Sequence, residues 1–85
     1  MSTREVVLPS GRFATIRPIT WLDRAVSRDE NPEFWIFRLA LRVVEIDGAP
    51  LEFAEAAGML IAEAQPIINV IAAELTVAAK SNGVS

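Results

Sequence analysis

The sequence predicts an α+β fold: an N-terminal β-hairpin followed by three to four helices in one small domain. Three observations carry this. The stretch REVVLPSGRFATIRP sets two β-rich runs on either side of a Pro-Ser-Gly turn. Thr20 and Asn31 each head a segment with helix-start chemistry. From Glu52 to Ala79 the chain is rich in alanine, the strongest helix former, with breaks at Gly58 and Pro66. A chain of 85 residues supports one domain and not two. Its predicted parts are the hairpin over about 4–17, a helical part over about 20–80 and a frayed tail over 81–85.

In the hairpin, Arg4 to Leu8 and Arg12 to Arg17 are the strands. Gly11 supplies the positive φ that a three-residue loop requires. Pro18 cannot donate to a ladder and ends the second strand. An isolated hairpin is marginal in water, so this one must lie against a helix or a further strand.

The first helix is predicted over Trp21 to Arg28, with Thr20 as N-cap and Asp23 completing a capping box. Asn31 then caps a second helix, with Pro32 at its first position and Glu33 at the positive end of the dipole. This helix is expected to run to about Ile46 and to be closed by Asp47-Gly48, with Pro50 beyond. A short helix from about Glu52 to Gly58 follows, and a long one from about Ala62 or Pro66 to Ala79. Pro66 can open that helix or kink a continuing one.

Hydrophobic residues make up 52% of the chain and charged ones 22%. A domain this small buries only about 60–65% of its unfolded surface, so either the core absorbs nearly all of this apolar surface or another chain covers the remainder. Helical wheels locate it. In the second helix Arg38, Arg42 and Glu45 form a narrow polar stripe, and apolar residues occupy most of the remaining circumference. Trp35 borders Arg42, where its ring can lie under the guanidinium. In the last helix Ile67, Ile68, Ile71 and Leu75 form one apolar stripe, with Val70 and Val77 beside it. Glu74 stands between the stripes and must meet an arginine or reach a wet rim. Phe13 and Ile16 lie on opposite faces of their strand, Phe13 being the one expected outside. Phe13, Trp35, Leu39, Val70 and Val77 are therefore the candidate partner-binding residues.

Cysteine, histidine and tyrosine are absent. That removes disulfides, thiolate and imidazole catalysis and nearly every zinc or copper site. No catalytic arrangement is visible among the remaining polar residues, and neither an enzyme, a metal nor a cofactor is expected. The net charge is −3 and uneven. Residues 1–42 carry seven arginines against five carboxylates, and residues 43–85 one lysine against six. Arg24, Arg28, Arg38 and Arg42 would have to carry any DNA contact, with Asp29, Glu30 and Glu33 facing the same phosphates. No nucleic acid is therefore expected. No apolar segment follows the polar Met1 to Glu5, so no signal peptide is expected. The uncharged run from Ala64 to Ala73 is half of the roughly 20 residues a bilayer needs, so no membrane span is expected either.

The stretch LPSGRFATIRPITWLD, followed at a distance by VVEIDGAPLEFAEA, resembles the tail assembly chaperones of Mu-like tailed bacteriophages and prophages. Leu8 to Gly11, Ile16 to Pro18, Thr20 with Asp23, and Ile46 to Gly48 stand where that pattern has its hairpin turn, strand end, helix start and Ile-Asp-Gly turn. The resemblance implies a holdase of the host bacterial cytoplasm that works without nucleotide. Its client would be the hydrophobic, helical tape-measure protein, kept soluble during tail assembly. The alternative reading is a small homo-oligomeric structural subunit of a phage or bacterial assembly, whose apolar surface is a self-interface.

Overall fold

A computed structural model describes residues 3–84, with side chains described for 3–76. Strands β1 (Arg4–Val7) and β2 (Phe13–Ile16) form the hairpin. The helices are α1 (Trp21–Ser27), α2 (Pro32–Val43), α3 (Phe53–Gly58) and α4 (Ile61–Val84). Between α2 and α3 lie two short strands, β3 (Val44–Ile46) and β4 (Ala49–Pro50). The α+β class is as expected, with four helices among the described residues.

The hairpin closes through local chemistry. The Leu8 carbonyl accepts from the Gly11 amide at 2.8 Å, the Leu8 amide donates to Arg12 at 2.8 Å, and Gly11 takes φ +91°. The hairpin is half of an antiparallel sheet ordered β1-β2-β3-β4. Ala14 pairs with Ile46 and Ile16 with Val44, and all four side chains point into the core.

Strand β3 corrects the expectation that helix α2 continues to Ile46. Val44, Glu45 and Ile46 alternate buried, exposed, buried, which is the period of a strand. Asp47-Gly48 is a hairpin turn and not a helix stop. Both residues take positive φ, +50° and +84°, as a two-residue primed turn requires. The Asp47 side chain also accepts from the Phe13 amide at 3.0 Å, and its own amide donates to the Phe13 carbonyl at 2.9 Å, which extends the β2–β3 pairing. A Cβ at Gly48 would meet nothing within 4 Å, so a substitution there costs backbone strain alone. Gly48→Ala is expected to lower stability by about 1 kcal/mol, read as a lower urea midpoint at unchanged slope.

The helix starts are as the sequence predicts. Thr20 caps α1 with the reciprocal capping box to Asp23, and the Asn31 side chain accepts from the Glu33 amide at 2.9 Å. Helix α4 runs through Pro66, which removes one backbone bond near its start. Its backbone continues to Val84, so Ser81 to Val84 are helical where a frayed tail was expected. The alanine-rich stretch before them carries strong propensity, and no proline stops it.

The core is a single cluster between the sheet and helices α2 and α4. Leu39, Ala40 and Val43 of α2 and Ile67 and Ile71 of α4 pack onto Leu8, Ala14, Ile16, Val44, Ile46 and Leu51. Charge pairing across the two halves closes the rim. Arg4 meets Glu74 at 3.3 Å, as expected for a carboxylate between two apolar stripes. Arg12 bridges Glu55 at 3.2 Å and Glu63 at 3.5 Å. The Ser10 hydroxyl and amide bind Glu63 as well, and the hydroxyl bond is foremost in holding that carboxyl below its ordinary range against partial desolvation. Two arginines of the hairpin thus meet three carboxylates of the second half, fastening the hairpin to α3 and α4.

A buried ion cluster fastens the other side. Asp23 is 2% exposed. It accepts from Arg17 at 2.7 and 3.0 Å, from Arg42 Nε at 2.9 Å, and from the Thr20 amide and hydroxyl at 2.9 Å each. One carboxylate so joins the end of β2, the start of α1 and the end of α2. The Arg17 hydrogen bonds are foremost in driving its pKa far below the carboxylate range, against the opposing effect of burial.

Candidate interaction surface

Helices α2, α3 and α4 do not close on one another. Ile36 and Phe37 of α2, Ala56 of α3, Met59 beyond it, and Ile61 and Ile68 of α4 line an open groove of about 490 Å³. Glu33 and Gln65 add polar atoms to a lining that is otherwise apolar. The groove exists because α3 is a poor packer. It has six residues, none of them buried, and its N-cap Glu52 makes no side-chain capping bond. Phe53 meets Phe37 edge to face at 5.6 Å and still remains mostly exposed. Leu60 and Ile61, in the tight connection into α4, are likewise exposed. A concave apolar trough lined by helices suits an amphipathic helix better than a small polar ligand.

Helix α1 is built inside out. Its buried residues are Asp23 and Ser27, while Trp21 (87% exposed), Leu22 and Val26 face outward. The ion cluster explains this, because Asp23 can serve Arg17, Arg42 and Thr20 only if its side of the helix turns inward. The apolar side is then left uncovered. A third apolar spot is the cross-strand pair Val7–Phe13 on the outer face of the sheet.

The five predicted contact residues fall in different places. Phe13 is exposed and Ile16 buried, as expected. Leu39 is 0% exposed and belongs to the core, so it is not a free contact; its position on α2 faces the sheet and α4 at once. Trp35 and Val70 are partly buried against the core. The Trp35 ring lies under Arg24 (5.8 Å) and Arg28 (5.6 Å), not under Arg42, which Asp23 holds instead. The side chain of Val77 lies outside the described residues. The structure does not bring these five together. The residues that do converge are those of the groove, and their sequence signal was the uncapped, glycine-ended helix Phe53–Gly58 followed at once by Met59-Leu60-Ile61.

Among the described residues, no group of three or more carboxylates is placed to hold a metal ion, and no helix is long and apolar enough to cross a membrane. No family model matches the chain, and comparison with curated proteins and with solved structures gives no match.

Proposed function

We propose that this protein is a binding module that acts as a nucleotide-independent holdase for an apolar helix, and specifically a phage or prophage tail assembly chaperone whose client is the tape-measure protein. The observation that supports this reading is the open apolar groove between α2, α3 and α4. A client helix would lay an apolar stripe, spaced i, i+3, i+4, i+7, along Ile36, Phe37, Ile61 and Ile68. Burying that stripe removes the surface through which free client would aggregate. Nothing in the groove needs nucleotide, since release can follow from tail-tube subunits competing for the same client stripe.

The test is titration of labelled helical segments of a phage tape-measure protein. Ile61→Glu places a carboxylate in the groove wall at an exposed site in the first turn of α4, where acidic residues suit the helix dipole. The variant is expected to keep its melting temperature and to lose client affinity by ~10-fold or more. Wild-type protein that binds none of the segments, or an Ile61→Glu protein that binds them unchanged, would refute the reading.

A further inference from the structure

We propose that helix α1 of one copy docks into the α2–α3–α4 groove of a second copy, head to tail, whenever no client fills it. This goes beyond the holdase reading and shares only the groove with it. Trp21, Leu22 and Val26 form an uncovered apolar ridge on a helix, which is the shape the groove receives. The charges match as well. Arg24 and Arg28, which reach from α1 over the Trp35 ring, have no carboxylate within ion-pair distance among the described residues. Glu33 in the groove lining, and Glu52 at the head of α3, have no cation within that distance among the described residues. Asp29 and Glu30, in the connector after α1, are the opposing charges that follow the ridge, and Asp29 is paired with Arg38 at 3.6 Å.

A chain cannot satisfy itself in this way. Trp35 and Arg42, on the α1 side of α2, and Phe37 and Ala40, on the groove side, point in widely separated directions around that helix. Ridge and groove must therefore meet between copies. The two surfaces are different, so the contact is heterologous and propagates into a ring or an open chain. With seven residues in α1 the contact is small, so the association is expected to be weak, concentration-dependent and weakened by salt.

Analytical ultracentrifugation of two variants and their mixture decides it. A ridge variant, Trp21→Ala with Leu22→Ser, keeps a normal groove; a groove variant, Ile61→Glu, keeps a normal ridge. All three substitutions sit at exposed positions, so each protein is expected to fold, checked by circular dichroism and melting. Each variant alone should be monomeric, its self-affinity weakened by ~30-fold or more. Mixed, the intact ridge of one and the intact groove of the other should form a dimer that stops there. A mixture that stays monomeric at concentrations where wild type assembles overturns the proposal, as does a wild-type assembly indifferent to both variants. The client reading is judged separately, because the ridge variant must still bind client segments. Wild-type protein that binds client segments but does not self-associate would remove this proposal and leave the holdase, and wild-type protein that self-associates but binds no client would do the opposite.

Discussion

Replacing Asp23 with alanine is expected to cost about 3 kcal/mol of stability, the largest effect of any polar substitution in this protein. The carboxylate is buried, accepts bonds from Arg17, Arg42 and Thr20, and completes the capping box of α1. Its removal leaves two guanidinium groups without their common partner. Both arginines are partly exposed and can rehydrate, which keeps the loss near the lower end of what breaking a buried pair costs. In a domain whose total stability is on the order of 4–13 kcal/mol, such a loss should lower the melting temperature by roughly 15 °C. Asp29 provides the contrast. Its pair with Arg38 spans 3.6 Å at the surface, and Asp29→Ala should change stability by less than about 0.5 kcal/mol.

The same carboxylate gives the fold a pH dependence of known sign. Its folded pKa is depressed, foremost by Arg17, while in the unfolded chain it titrates near the ordinary value of about 3.9. The stabilisation is therefore fully present above that value. It is lost progressively as the pH falls from about 4 toward the depressed folded pKa. Urea midpoints measured between about pH 6 and 2 should fall in wild type more steeply than in Asp23→Asn, where this titration is gone. Equal slopes in the two proteins would contradict the ion cluster.

Leu39→Ala is expected to cost a comparable amount, about 3 kcal/mol, through a cavity at the meeting of the sheet, α2 and α4. The residue is fully enclosed and touches a core that a small domain cannot easily collapse around it. Phe13→Ala, on the outer face of the sheet, should cost well under 1 kcal/mol of global stability. Denaturant unfolding of both variants separates the two kinds of apolar residue. A destabilised Leu39 variant beside a near-normal Phe13 variant assigns one to the core and the other to the surface; the reverse ranking would mean the packing is wrong.

These cases show what could be read from the chain and why. The hairpin turn at Pro9 to Gly11, the Thr20 capping box and the Asn31-Pro32 helix start were all legible, since each is settled by residues within a few positions of one another. The pair β3–β4 is not legible in the sequence, because Val43, Val44 and Ile46 fit a helical wheel as well as a strand. Asp-Gly, too, serves as a helix stop as well as a hairpin turn. The hairpin needs a helix or a further strand against it to be stable, and the alternation Val44, Glu45, Ile46 supplies a strand. From the sequence Asp23 is a cap; in the fold it is also the centre of a cluster. Its partners Arg17 and Arg42 lie 6 and 19 residues away, and no local pattern joins them. That one missed contact also hid the outward ridge of Trp21, Leu22 and Val26, because the orientation of a seven-residue helix follows from what it must bury. The groove is only partly legible for a related reason. The uncapped segment Phe53–Gly58 signals a weakly packed α3, but where that helix fails to cover α2 and α4 depends on the placement of all three.

The central claim is that this space receives an apolar helix. The most direct test is nuclear magnetic resonance of isotope-labelled protein titrated with a helical tape-measure segment. Because the ridge variant Trp21→Ala with Leu22→Ser should remain monomeric, it gives the cleanest spectra. Shifts are expected to concentrate on Ile36, Phe37, Met59, Ile61 and Ile68, with the outer sheet face around Val7 and Phe13 undisturbed. Shifts centred on that sheet face, or a spectrum unchanged at saturating segment, would contradict that claim.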